Sequence, residues 1–267
     1  MKPFLLTFDV EEFDWPLEFG AALDPACQTE VTAQGLALLL PLLQAHEVCA
    51  TFFVTGLFAA EKRSTVAALV AAGHEVAVHG LEHADDYATL PAEVATQRLR
   101  EASALVASAA GVAVQGVRTP RLRPCAGPVL QAAGFAYDAS SHPTWVIGRY
   151  NGLALPRSPW REGALLRLPI SVLPGLRLPV SWLWYRLAGA RLGMLGARGA
   201  AVAAPYLHLY FHPWEAVPLR QFGIPAALAV RTGPAFLNLI DRLLSFARQE
   251  YRPMTLAAYA AELDGWR

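Results

Sequence analysis

Charge is scarce in this chain. Only 16% of its 267 residues are Asp, Glu, Lys or Arg, against 54% hydrophobic. Acids and bases balance at 22 each, and the sequence pI is about 7.1. That balance excludes the strongly basic face on which nucleic-acid binding rests. Lysine is almost missing: Lys2 and Lys62 are the only two, so nearly all positive charge is arginine, a compositional bias. Cysteine is sparse too. Cys27, Cys49 and Cys125 are odd in number and spaced for neither a zinc knuckle nor a disulfide scaffold. Reduced thiols in packing roles are expected. No uninterrupted apolar run reaches the ~20 residues that cross a bilayer. Met1-Lys2-Pro3 leads into a strand without the pattern of a cleaved leader. A cytoplasmic protein is expected, with peripheral contact at the inner face of a membrane left open.

What is there is apolar periodicity. Phe4–Asp9 reads as a first strand, followed by an acidic, aromatic loop to Gly20. Leu36, Leu39, Leu40 and Leu43 recur at helical spacing over 31–45. Further strands are expected at 50–54, 74–78, 114–118, 135–138, 165–170, 206–211 and 252–255. Helices are expected at 66–72, 91–110, 128–133, 234–250 and 256–263. Gly73 suits the end of one helix and Pro91 the first turn of the next. Strands alternating with helices predict parallel pairing through helical crossovers, an α/β fold. The length suits one α/β barrel, and no repeat or linker divides 1–267, so a single domain is expected. The segment 173–204 breaks the alternation. Its Trp, Tyr and Leu interleaved with Arg suit either a helical insertion packed on the barrel or a membrane interface.

Acids and imidazoles fall repeatedly at strand ends: Asp9, His79, Asp138 and His212. In an α/β barrel those ends gather on the face that does chemistry. His79-Gly80-Leu81-Glu82-His83 offers two imidazoles at i, i+4, which share a face if the chain turns helical between them. A divalent ion held there also wants an anionic oxygen. Thr7-Phe8-Asp9-Val10-Glu11-Glu12 supplies it. Side chains two apart on a strand share a face, so Glu11 is the first choice for that ligand and Glu12 the alternate. Among the other histidines, His74 reads as structural, His46 as a cation suited to a helix C-terminus, and His142 has no evident place.

Four stretches occur in order: Thr7–Glu12, His79–His83, Arg118-Thr119-Pro120-Arg121 and Tyr210-Phe211-His212-Pro213-Trp214-Glu215. Together they resemble the motifs of the polysaccharide deacetylases, the NodB-homology or carbohydrate esterase family 4 enzymes. The resemblance is to the branch with FDVEE first and FHPWE near the end, and runs from Phe4 to about Ala260. It implies a distorted (β/α) barrel of seven or eight strands. It also implies a divalent metal, zinc first, with cobalt, nickel or manganese as alternatives, and removal of an acyl group from an amino sugar. By the resemblance Asp9 is the catalytic base, His79 and His83 bind the metal, and Glu11 stands for the metal carboxylate, shifted by one because Val10 follows Asp9. Arg118 holds the base, a backbone N–H near Arg121 helps the oxyanion, His212 is the catalytic acid, and Asp138 orients that acid. Arg121 stands where an aromatic is common, which alters the groove.

The resemblance makes the expected enzyme a carbohydrate N-deacetylase acting on a polysaccharide or glycolipid precursor, free or lipid-linked. A deformylase on a polyprenyl-phosphate-linked amino sugar and a cyclic amide hydrolase of the same fold are its enzymatic alternatives. A silent carbohydrate-binding barrel is the alternative of another class, and the four intact motif residues Asp9, His79, His83 and His212 argue against it.

Overall fold

The computed structural model describes residues 1–202 and 204–265, so Ala203, Trp266 and Arg267 lie outside the description, the first within the expected insertion. The first half alternates β1 (Lys2–Val10), α1 (Pro25–Ala45), β2 (Thr51–Val54), α2 (Gly56–Glu61), α3 (Arg63–Ala71), β3 (Glu75–Val78), α4 (Ala92–Ala110), β4 (Gly116–Val117), α5 (Gly127–Ala132) and β5 (Tyr137–Asp138). Then come a hairpin of β6 (Trp145–Val146) and β7 (Tyr150–Asn151), β8 (Trp160–Glu162) and β9 (Leu165–Arg167). The chain closes with α6 (Trp182–Val202), β10 (Leu207–Phe211), α7 (Pro234–Glu250), β11 (Tyr251–Pro253) and α8 (Leu256–Gly265).

The main sheet runs β10-β1-β2-β3-β4-β5-β9-β8, with β11 also on β1. Every pairing in it is parallel except β8 with β9. The sheet curls into a distorted barrel, as expected. Among the described residues no ladder joins β9 to β10. Ser171 spans the gap instead: its N–H donates to the His208 carbonyl at 3.0 Å, and its hydroxyl accepts from the His208 N–H at 2.9 Å.

Strand alternation sorts the side chains. Phe4, Leu6 and Phe8 of β1 face outward into the core shared with α1, α4 and α7. Leu5 faces inward, in a cluster with Phe53, Ala77, Tyr137 and Tyr206. Farther along the same inward row come Thr7 and Asp9, both buried. The interior is therefore apolar at the strand starts and polar at their C-terminal ends.

The structure departs from expectation in three places. The stretch between His79 and His83 is a turn and not a helix. Gly80 makes it possible with φ of +83°, a left-handed value that a Cβ would strain. A six-residue helix, α2, opens directly after β2, with the Thr55 hydroxyl accepting from the Phe58 N–H at 3.2 Å. Residues 145–162 form a hairpin and an edge strand where none was foreseen. The insertion itself is the helix α6, broken at Gly189. No helix among the described residues is long and apolar enough to cross a membrane.

Candidate active site

Glu11 follows directly on β1, and His79 follows directly on β3. β2 separates the two strands and fixes their distance. The Glu11 Oε2 atom lies 3.0 Å from His79 Nε2 and 3.1 Å from His83 Nε2. All three residues are buried, and their ligand atoms lie within 4.8 Å of one another. The other ring nitrogens are tied off behind them. His79 Nδ1 lies 2.8 Å from the Arg118 carbonyl, and His83 Nδ1 2.8 Å from Asp14 Oδ1. A carbonyl can only accept, so Nδ1 of His79 donates to it, which turns Nε2 toward Glu11. Trp214 Nε1 donates to the second oxygen of Glu11 at 3.3 Å.

The electrostatics suit a cation. Burial alone would raise the Glu11 carboxyl, but the His83, His212 and His79 rings hold it well below the usual carboxylate range. Burial would lower His83, but Glu11 and Asp14 override it and raise the imidazole to about 9. Without a metal, the pair of carboxylates holds a proton on His83. A divalent ion coordinated by Nε2 would take that proton's place. Two imidazoles and one carboxylate, converging and backed by hydrogen bonds, fit such an ion.

Glu12, the alternate ligand, points elsewhere. It accepts from the Thr55 hydroxyl and from the His83 backbone N–H at 2.7 Å. It fixes the turn that carries His83 and stays out of the donor cluster, because those two donors take up one carboxylate oxygen each.

Beside the cluster lies Asp9. Its Oδ1 accepts from Arg118 Nη1 at 2.6 Å. Arg118 is wholly buried and held on three more sides. Its Nε donates to the Ala139 carbonyl at 3.1 Å, Nη2 lies 2.9 Å from His208 Nε2, and the Phe53 ring lies 4.3 Å below. His208 Nδ1 lies 3.1 Å from the Pro169 carbonyl, so the proton belongs there and Nε2 accepts from the arginine.

His212 faces the group from the end of β10. Its Nε2 is 3.7 Å from Glu11 Oε1, and its ring stacks on Trp214 at 4.4 Å. Asp9, Glu11, His83 and His212 line one small cavity with Arg121 and a wall of Trp15, Trp182 and Trp214.

One placement is corrected. Asp138 does not orient His212. Its carboxylate is taken up by Arg167 Nη1 at 2.7 Å and by Ser140. The carboxylate beside His212 is Glu215, which accepts from the His212 backbone N–H at 2.9 Å and is itself bound by the buried Arg186 at 2.5 Å.

The sequence reading missed Asp14, Glu215, Trp214 and His208 as contributors. His208 was findable: it, Tyr210 and His212 are two apart on one strand and so share the inward face. Glu215 stands in the quoted stretch Tyr210–Glu215, three residues from His212 in the single helical turn Pro213–Ala216, whereas Asp14 gave no such signal, because it lies in the loop after β1. Of the remaining histidines, His74 Nδ1 accepts from the Ala50 N–H at 3.3 Å, and His46 Nε2 meets Asp241 at 2.8 Å.

Residues 2–135 match the family model described as polysaccharide deacetylase. The chitooligosaccharide deacetylase of Bradyrhizobium sp. (strain ANU 289) is 33% identical over 104 residues. That alignment covers 39% of this chain and 44% of the relative, so the chain matches under half of that protein's length. Among solved structures, a probable polysaccharide deacetylase from Pseudomonas aeruginosa PAO1 superposes with a TM-score of 0.69 at 17% identity, over 97% of this chain and 89% of the other. A putative polysaccharide deacetylase from Mycobacterium smegmatis gives 0.65 at 20% identity, over 99% and 90%. At such identities the superpositions establish a shared fold. The family match, which spans half of the sequence, places this chain in the polysaccharide deacetylase family.

Proposed function

We propose that the chain, as a single domain over 1–267, is a metal-dependent hydrolase that removes an N-acyl group, acetyl first, from an amino sugar in a saccharide precursor. One observation carries this reading: the buried convergence of Glu11, His79 and His83, flanked by Asp9 and His212 in one cavity. Glu11, His79 and His83 would hold the ion, with zinc favoured because two imidazoles and one carboxylate leave an open position for water and substrate. When bound, the ion supplies Lewis acidity to the amide carbonyl and to the attacking water.

The protein's own groups do the rest. Asp9 is aimed by Arg118 and takes a proton from the water. The water oxygen joins the acyl carbon, the C–N bond breaks, and His212 gives the leaving nitrogen its proton, so a free acid and an amine result. The Trp214 ring stacked on His212 and the wall of Trp15 and Trp182 keep bulk water from the reacting atoms. A backbone N–H near Arg121 shares the developing oxyanion. The test is release of acetate and formate from a panel of free, nucleotide-linked and polyprenyl-linked amino sugars, before and after chelation and with zinc restored. Release that is indifferent to chelation would sink the metal-dependent reading.

A second reading has its own observation. α6 turns Trp184, Leu187, Leu192, Leu195 and Val202 outward, all exposed. A solvent-facing helix surface is ordinarily polar, whereas an apolar face punctuated by arginine suits a membrane interface. This favours peripheral contact at the inner face of a membrane, cytoplasmic placement and a lipid-linked substrate, including a deformylase on a polyprenyl-phosphate-linked amino sugar. Partitioning onto liposomes, and formate in place of acetate in the release assay, are its measurements.

A further inference from the structure

Charge is balanced over the whole chain but not along it. From Ala139 to Trp214 stand eight arginines and a single acid, Glu162; elsewhere 21 acids face 14 bases. Two of the eight, Arg167 and Arg186, are buried and paired with Asp138 and Glu215. Arg161 and Arg198 meet Asp264 and Glu250, and Arg149 reaches Glu18 only at 3.6 Å. Arg157, Arg177 and Arg191 have no ion pair among the described residues. A positive excess therefore stays at the surface of this one segment.

The same segment exposes large apolar side chains. Ile147, between β6 and β7, and Leu176, in the loop before α6, are each 80% exposed. Trp145 and Leu178 beside them are exposed too, as is the outer row of α6. Contacts join the three pieces. The Thr144 hydroxyl donates to the Arg177 carbonyl at 2.6 Å, and Arg177 Nη1 donates to the Leu155 carbonyl at 2.7 Å, tying the loop to the hairpin. The loop also packs on α6, where a Cβ on Gly199 would sit 2.8 Å from Leu173 Cδ2. This surface adjoins the catalytic cavity. Glu18, Arg149 and Trp182 line that cavity, and exposed Phe19, Ile147 and Trp184 lie within two residues of them.

A contiguous apolar patch of this kind marks a binding face, and its charge selects the occupant. A second copy docked about a two-fold axis would set the positive excess against itself. Nucleic acid would answer the arginines but offers no apolar phase for Ile147 and Leu176. An anionic bilayer answers both, with acyl chains for the apolar groups and headgroup charge for the arginines.

We propose that the hairpin tip, the 173–179 loop and the outer row of α6 dock together on an anionic lipid surface. Ile147 and Leu176 enter the acyl boundary, Arg177 and Arg191 lie at the headgroups, and the catalytic cavity faces the membrane. This rests on the membrane reading of α6 and adds to it two further segments, the charge of the lipid and the orientation of the site.

The full chain is sedimented with vesicles of phosphatidylcholine alone or with about 30% phosphatidylglycerol, at about 0.1 and 1 M salt. Wild type should bind the anionic vesicles at least about tenfold better than the neutral ones, and lose most of that advantage at high salt. Ile147→Asp and Arg191→Glu should each lower anionic binding about tenfold or more. Val112→Asp, an equally plain exposed position at the other end of the barrel before β4, should bind as wild type. If Ile147→Asp does not fold, Arg191→Glu and the salt dependence decide. No binding, equal binding to both vesicles, or an equal loss in Val112→Asp would overturn the assignment. A dimer in solution that Ile147→Asp dissociates would overturn it in favour of a second copy. Acyl release from a soluble amino sugar is measured alongside. Release without vesicle binding would remove the docking surface and leave the hydrolase, and vesicle binding without release would do the reverse.

Discussion

Arg118 is the residue whose removal the structure makes most costly. Its guanidinium is fully buried, donates to Asp9 at 2.6 Å and to the Ala139 carbonyl at 3.1 Å, and meets His208 at 2.9 Å. Arg118→Met keeps the apolar length of the side chain over the Phe53 ring but strands the buried Asp9 carboxylate. Breaking one partner of a buried pair costs about 3–5 kcal/mol. At about 2–4 °C per kcal/mol for a chain of this size, the melting midpoint should fall by roughly 6–20 °C. The double variant Asp9→Asn/Arg118→Met removes both charges. It should be less destabilised than the sum of the two single variants, by about 1–3 kcal/mol. Urea unfolding followed by circular dichroism on all four proteins measures this. A loss under about 1 kcal/mol for Arg118→Met, or strict additivity in the cycle, would refute the pairing argument.

The other predictions concern metal, packing and pH. His79→Ala should lose bound metal and turnover together, whereas Asp9→Asn should keep its metal and lose turnover; elemental analysis beside the release assay separates them. Asp14→Ala removes the acceptor behind His83 and should weaken zinc about 10–100-fold in a chelator competition, as backing-residue changes do. Gly35→Ala should destabilise by about 1–3 kcal/mol or more, because a Cβ there would sit 2.0 Å from the Pro213 carbonyl oxygen, in the turn after His212; a wild-type melting curve would show that the α1 contact yields. Glu75, at the foot of β3, accepts from Tyr137 at 2.6 Å and Thr51 at 2.7 Å, yet burial raises its carboxyl above the ordinary 4.5. The folded chain then holds that proton more tightly than the unfolded one. Its contribution is complete below about pH 4.5 and fades as pH rises through the raised value. Glu75→Gln should therefore gain on wild type across that window, and a difference independent of pH would contradict the shift.

Much of the fold was legible because it rests on periodicity. The helix expected at 234–250 is α7 to the residue, and the strand ends at Asp9, Val78 and Phe211 fall within one or two positions. Such segments bury one face against a sheet, and the 3.6- and 2-residue periods record which face. The hairpin at 145–151 and the edge strand at 160–162 were not legible. They are two or three residues long, too short for a period: β6 and β7 pair with each other, and β8 pairs with the edge that β9 offers.

The sequence alone determined the donor types and their order: an acid-tipped first strand, two imidazoles after the third, an arginine and a late histidine. Only the tertiary structure decided which carboxylate joins the imidazoles. Glu11 and Glu12 are adjacent and chemically alike, and the choice turns on the Thr55 hydroxyl and His83 N–H that occupy Glu12. It also decided that Asp138 belongs to Arg167 and that Glu215 stands beside His212. The first pairing joins residues far apart in the chain, and the second lies in a single helical turn, too short for periodicity. Chain spacing holds no record of distances that are set when a sheet curls on itself.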